Sequence, residues 1–105
     1  MNSDRLSQLQ RFAEEDPQDA FNWYALALEY QKSDPEKALN LFNKLLFEFD
    51  EYLPAYYMAA NHHAYLGNME TALDIFRRGI RLAEKQQDLK TAGELRSELD
   101  ELLFE

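Results

Sequence analysis

The sequence predicts an all-α chain of about six helices, paired as antiparallel hairpins, and two observations carry that prediction. No stretch alternates apolar and polar residues with period two, whereas apolar residues recur at intervals of three and four from end to end. Only three Gly and three Pro occur in 105 residues, and together with Asp and Asn they mark boundaries about fifteen residues apart. Hydrophobic residues make up 46% and aromatic residues 13%, enough to bury a small continuous core and offset the entropy of ordering the chain.

The elements follow in order. Leu6, Leu9, Phe12 and Ala13 give a first helix over residues 3–15. Asp16 is read as an N-cap acceptor and Pro17 as a helix-opening residue, where a missing N–H goes unnoticed, so a second helix is placed at 18–32. Asp34 and Pro35 repeat the signal for a third at 35–49, with Leu39, Phe42, Leu45, Leu46 and Phe49 on its apolar stripe. Pro54 opens a fourth at 54–66. Gly67 supplies a left-handed stop and Asn68 a cap for a fifth at 69–85, carrying Ala72, Ile75, Phe76 and Ile80. Gln87 and Asp88 separate it from a sixth at 88–103, with Leu95, Leu99, Leu102 and Leu103. Connections this short make sequential helices antiparallel neighbours.

Composition narrows function. Twenty Asp and Glu against eleven Lys and Arg give a net charge of −9 and a pI near 4.6. That field repels phosphate backbones and anionic lipid surfaces, so neither nucleic acid nor membrane is an expected partner. With no cysteine there is neither a disulfide frame nor a thiolate metal site. Met1 runs into a polar helix with no apolar stretch behind it, so no signal peptide is read and a cytoplasmic location is expected.

The sequence carries no recognisable catalytic constellation. No Glu-x-x-His pair is present, and the adjacent His62 and His63 point about 100° apart on a helix, one expected in the core and one exposed. The serines, Ser3, Ser7, Ser33 and Ser97, fall at caps or on polar faces without a base beside them, and there is no glycine-rich phosphate loop. An enzyme is therefore not expected, nor a metal or a cofactor. Acidic residues collect near the ends, in Glu14, Glu15 and Asp16 and in Glu94, Glu98, Asp100, Glu101 and Glu105. Arg77, Arg78, Arg81 and Lys85 make the fifth helix locally basic; solvated faces account for both, and head-to-tail pairing of copies is the alternative.

The pattern also repeats. Ala38, Leu39 and Phe42 return as Ala72, Leu73 and Phe76, 34 positions on. Before the first copy stand Trp23, Leu26, Ala27 and Tyr30; before the second stand Tyr56, Ala59, Ala60 and His63, with Gly79 following. These residues resemble the signature of the tetratricopeptide repeat (TPR), a helix pair of 34 residues in which a small residue lets the two helices approach and aromatics fill the gaps beside it. The match has departures: Trp23 precedes Ala38 by 15 residues where Tyr56 precedes Ala72 by 16, and no proline stands at Asp50 or Glu84. Leu89, Ala92 and Gly93 restart the pattern, and Gly93 is taken to mark close packing, since a glycine inside a helix is otherwise unfavourable.

The resemblance implies antiparallel hairpins stacked as a short right-handed superhelix in one TPR domain, 1–105. Residues 1–16 form a half-repeat helix with Leu9 and Phe12 in the roles of Phe42 and Leu45. Residues 17–53 and 54–87 form two full repeats, and 88–105 a capping helix. It also implies a groove that binds a partner protein or peptide. By resemblance that groove is lined by Tyr24, Leu28, Gln31 and Lys32, by Tyr57, Asn61, Ala64 and Tyr65, and by Lys90 of the unfinished third repeat. Helical spacing separately puts Tyr24 with Leu28, and Tyr57 with Asn61 and Tyr65, on common stripes. The carboxylate clamp of chaperone-type TPR domains is not expected, because Tyr24 and Leu28 replace its polar residues and Glu94 would repel a carboxylate. The expectation is a protein-interaction module. A self-associating helical-repeat protein is the alternative, and a metal carrier or enzyme using His62 and His63 the third reading.

Overall fold

The computed structural model describes residues 3–104 and, for Ser3, only the backbone; Met1, Asn2, the Ser3 side chain and Glu105 lie outside the described residues. Six α-helices and no strand occur among them: α1 (Ser3–Glu15), α2 (Ala20–Tyr30), α3 (Pro35–Glu48), α4 (Pro54–Tyr65), α5 (Met69–Lys85) and α6 (Leu89–Phe104). No described helix is long and apolar enough to cross a membrane. The chain divides into two compact units, residues 1–52 with α1 to α3 and residues 53–105 with α4 to α6.

In the first unit α2 packs between α1 and α3. Pro35 occupies the first turn of α3, and the Asp34 carboxylate accepts from the Lys37 N–H at 3.3 Å. The opening of α2 differs from the expectation. Asp16 does not cap it and Pro17 does not start it; Asp19 does the capping, accepting from the Phe21 N–H at 3.0 Å. Side chains of α2 account for the delay. Trp23 donates its indole N–H to the Pro17 carbonyl at 2.9 Å, and the Asn22 amide reaches the Phe12 and Asp16 carbonyls, so residues 16–19 are held as a turn.

The buried stripe of the first unit is Leu9 and Ala13 from α1, Leu26, Ala27 and Tyr30 from α2, and Ala38, Phe42, Leu45 and Leu46 from α3. Phe12 does not take the role of Leu45: it is 50% exposed. Leu9 and Ala13, one turn apart, already fill the face that α1 turns to α2, and Phe12 lies to one side of it. Trp23 is half-buried rather than core, with the Lys44 ammonium 4.6 Å above its ring. The Tyr30 hydroxyl accepts from Gln10 at 2.6 Å. Beside it the Glu29 carboxylate is buried, and its Oε1 accepts from Arg5 at 3.1 Å and Lys32 at 3.3 Å, tying α1 to α2.

In the second unit α5 packs against both α4 and α6. Gly67 turns the chain at φ 87°, and the Asn68 N–H reaches the His63 carbonyl at 2.8 Å, so the glycine closes α4 as its sequence position implies. Asn68 occupies the N-cap position of α5, but its side chain bonds the His63 ring at 3.2 Å and does not cap. Gln87, at φ 62°, ends α5 in the same left-handed way. Asp88 then caps α6, accepting from the Thr91 N–H at 3.1 Å and the Thr91 hydroxyl at 2.8 Å, and these bonds hold its carboxyl below the usual range.

Two glycines part company here. A Cβ on Gly79 would stand 2.9 Å from the Tyr56 Cβ and 3.2 Å from the Leu95 Cδ1, so α5 approaches α4 and α6 only because that hydrogen is small. Gly93 has nothing within 4 Å of the corresponding position and is exposed, so the close packing expected of it is absent. The histidines also depart from expectation: His62 and His63 are both buried, at 3% and 6% exposure. Ala55, Tyr56, Ala59 and Ala60 are buried with them, so α4 is covered over an arc wide enough to take in both rings.

Candidate binding cleft

In the second unit α4 and α6 form an open cleft of about 500 Å³ lined by Tyr57, Glu94, Ser97 and Glu98. Tyr57 is 38% exposed and its ring packs edge-on against Phe76 of α5, with centroids 6.5 Å apart at 81°. Its hydroxyl lies within hydrogen-bonding reach of the Glu98 carboxylate and the Asn61 amide. Burial and then the charge and hydrogen bond of Glu98 push the phenol above its ordinary pKa, with Asn61 opposing and Glu101 adding to the rise. The ring is thus held by Phe76 on one side and by α6 at its tip.

Of the residues carried over from the repeat signature to this unit, Tyr57 and Asn61 share this chain of contacts. Ala64 is half-buried, and Tyr65 stands 79% exposed with its ring stacked on His62, centroids 6.5 Å apart. Lys90 is exposed and does not line the cleft. Ser97 and Glu98 line it instead, and both were missed. Their signal was present: the spacing that leads from Tyr56 to Ala64 and Tyr65, applied from Leu89, leads to Ser97 and Glu98.

In the first unit, Tyr24 and Leu28 are half-buried on α2, and the Tyr24 ring packs edge-on against Tyr52, centroids 5.6 Å apart at 65°. Burial raises the pKa of both phenols, and Tyr24 and Asp19 push Tyr52 further. Tyr52 was not among the expected residues. Gln31 is half-buried, and Lys32 is exposed and ion-paired with Glu29.

The cleft offers an aromatic wall, a serine hydroxyl and two carboxylates, with the Asn61 amide beside the Tyr57 hydroxyl. Among the described residues no three His, Asp or Glu converge as a metal site.

A chain of helix hairpins with Gly79 at the close approach of α5 to α4 and a cleft flanked by α4 and α6, the first helices of successive pairs, is a helical-repeat protein of the interaction-scaffold class. No protein-family model and no curated protein matches the sequence. Solved structures do. The solution structure of a tetratricopeptide repeat domain protein from Salinibacter ruber is 32% identical over 83% of this chain and 89% of that one, with a TM-score of 0.78. A crystal structure of a tetratricopeptide repeat domain protein from the same organism is 29% identical over 82% of this chain and 98% of that one, with a TM-score of 0.77. The chain belongs to the tetratricopeptide repeat family.

Proposed function

We propose that this protein is a non-catalytic interaction module that holds a segment of a partner protein in the cleft between α4 and α6, against Tyr57, Asn61, Glu94, Ser97 and Glu98. Tyr24 and Leu28 offer the corresponding face of α2 in the first unit, with Gln31 and Lys32 at its end. The observation that carries the reading is the Tyr57 ring, half-exposed yet fixed by Phe76, Asn61 and Glu98. An aromatic already ordered in this way presents contact area with little entropy left to lose on binding. Asn61 and Ser97 can hold backbone amides of an extended segment.

The test is a random-peptide display selection on the wild-type protein, with the recovered peptides titrated against wild type and a Tyr57→Ala/Asn61→Ala variant whose helicity is checked by circular dichroism. The reading expects at least tenfold weaker binding by the folded variant, the size of losing a well-packed aromatic anchor. Equal binding removes the cleft assignment. Self-association is the second reading, favoured by Leu103 and Phe104, 45% and 85% exposed on α6. A mass by light scattering that stays monomeric across a hundredfold range of concentration excludes it.

A further inference from the structure

The cleft has a sign. Glu94 and Glu98 stand one helical turn apart on α6 and both line it, and neither has an ion-pair partner among the described residues. The basic residues of the same helix do not serve them: Arg96 is paired with Glu84 of α5, and Lys90 is exposed and outside the cleft. Glu98 lies within hydrogen-bonding reach of the Tyr57 hydroxyl, a neutral donor that leaves its charge uncompensated, and Glu101 adds to the negative potential felt at that phenol.

We infer that the cleft takes an arginine or lysine side chain from the partner segment, seated between the Glu94 and Glu98 carboxylates and against the Tyr57 ring; this rests on the cleft being the binding site proposed above. Like charges at i and i+4 repel, and a cation between them adds two attractions at shorter distance that outweigh that repulsion. Carboxylates only accept hydrogen bonds, and a guanidinium or ammonium only donates them, so the two kinds of group are complementary. The aromatic wall favours a cation in the same place, and Ser97 offers one further acceptor. An acidic segment or a chain-terminal carboxylate would meet two fixed negative charges. A wholly apolar one would strip water from both without replacing its hydrogen bonds.

The net charge of −9 attracts any cation weakly, so the experiment separates a site from a field. A fluorescein-labelled peptide of alternating arginine and serine is titrated in about 0.15 M salt, beside its counterpart with every arginine replaced by citrulline, which keeps the shape and removes the charge. Each is measured against wild type, Glu94→Gln/Glu98→Gln, and Glu14→Gln/Glu15→Gln, which removes the same charge from exposed positions on α1. The inference expects saturable binding of the arginine peptide, about tenfold weaker with Glu94→Gln/Glu98→Gln and within about twofold of wild type with the α1 variant. No saturable binding, equal weakening by both variants, or equal binding of the citrulline peptide overturns it. Display-selected peptides that need Tyr57 but carry no Arg or Lys would overturn this inference alone. Peptides indifferent to Tyr57 and Asn61 would overturn the reading beneath it.

Discussion

Replacing Gly79 and Gly93 by alanine, one at a time, makes the same chemical change inside two helices of the same unit and is expected to move stability in opposite directions. Each substitution gains about 1 kcal/mol from the better helix propensity of alanine. At Gly93 nothing lies within 4 Å of the added carbon, so that gain stands and Gly93→Ala is stabilised by about 1 kcal/mol. At Gly79 the added carbon would sit 2.9 Å from the Tyr56 Cβ, well inside the ~3.5–4.0 Å at which carbon atoms attract. The obstructing atom is attached directly to the α4 backbone and cannot swing aside, so α4 and α5 must separate. Overpacking of this kind costs about 1–3 kcal/mol. The net effect of Gly79→Ala is a loss of up to about 2 kcal/mol, and because the propensity gain is common to both variants their difference isolates the steric cost at about 1–3 kcal/mol. Urea unfolding monitored by circular dichroism reads it directly, with unchanged m-values confirming that the transitions compare like with like. Equal stabilisation of both variants would show that α5 does not approach α4 as described.

Other outcomes follow from the same packing. Phe42 and Phe76 are both fully buried, and truncation of either to alanine is expected to cost about 3–5 kcal/mol, leaving thermal melts broad or lost near room temperature. Asp19→Ala removes the side-chain acceptor of the Phe21 N–H and should lose about 1 kcal/mol in the same assay, whereas Asp16→Ala, at a position that caps nothing, should be close to neutral. Burial, with the charge of His62 adding, holds the His63 pKa below its ordinary 6.5. The unfolded chain therefore takes up the proton first as pH falls. Stability is full above pH 6.5 and declines below it until the folded-state pKa is reached, with a slope of at most about 1.4 kcal/mol per pH unit. Unfolding measured from pH 7.5 down to the onset of carboxylate titration should show that decline in wild type and a flatter line in His63→Gln.

How much was legible in the sequence depended on how far each signal reaches along the chain. The helices, their number and most of their ends were readable, because period, proline at a first turn and a left-handed glycine act over a few residues. Asp34 with Pro35, Pro54 and Gly67 behave as their positions imply. The family was readable for the same reason, since the recurrence of Ala38, Leu39 and Phe42 as Ala72, Leu73 and Phe76 is a property of the string itself. The opening of α2 was not, because the Pro17 carbonyl is claimed by an indole six residues on, and only folding brings the two together. Nor was the burial of both His62 and His63, which depends on how wide an arc of α4 is covered.

The two glycines draw the line most sharply. In the sequence Gly79 and Gly93 are alike, each a weak point inside a helical pattern; what distinguishes them is the Tyr56 carbon 2.9 Å from one and the empty space around the other. The cleft is decided in the same way. The sequence by itself determined the helices, the repeat and the aromatic at position 57. The repeat spacing counted from Leu89 reaches Ser97 and Glu98, but that they and Glu94 stand opposite that aromatic around one open cleft was decided by the packing of α4 and α6 on α5, contacts between residues too distant in the chain for any local signal to join.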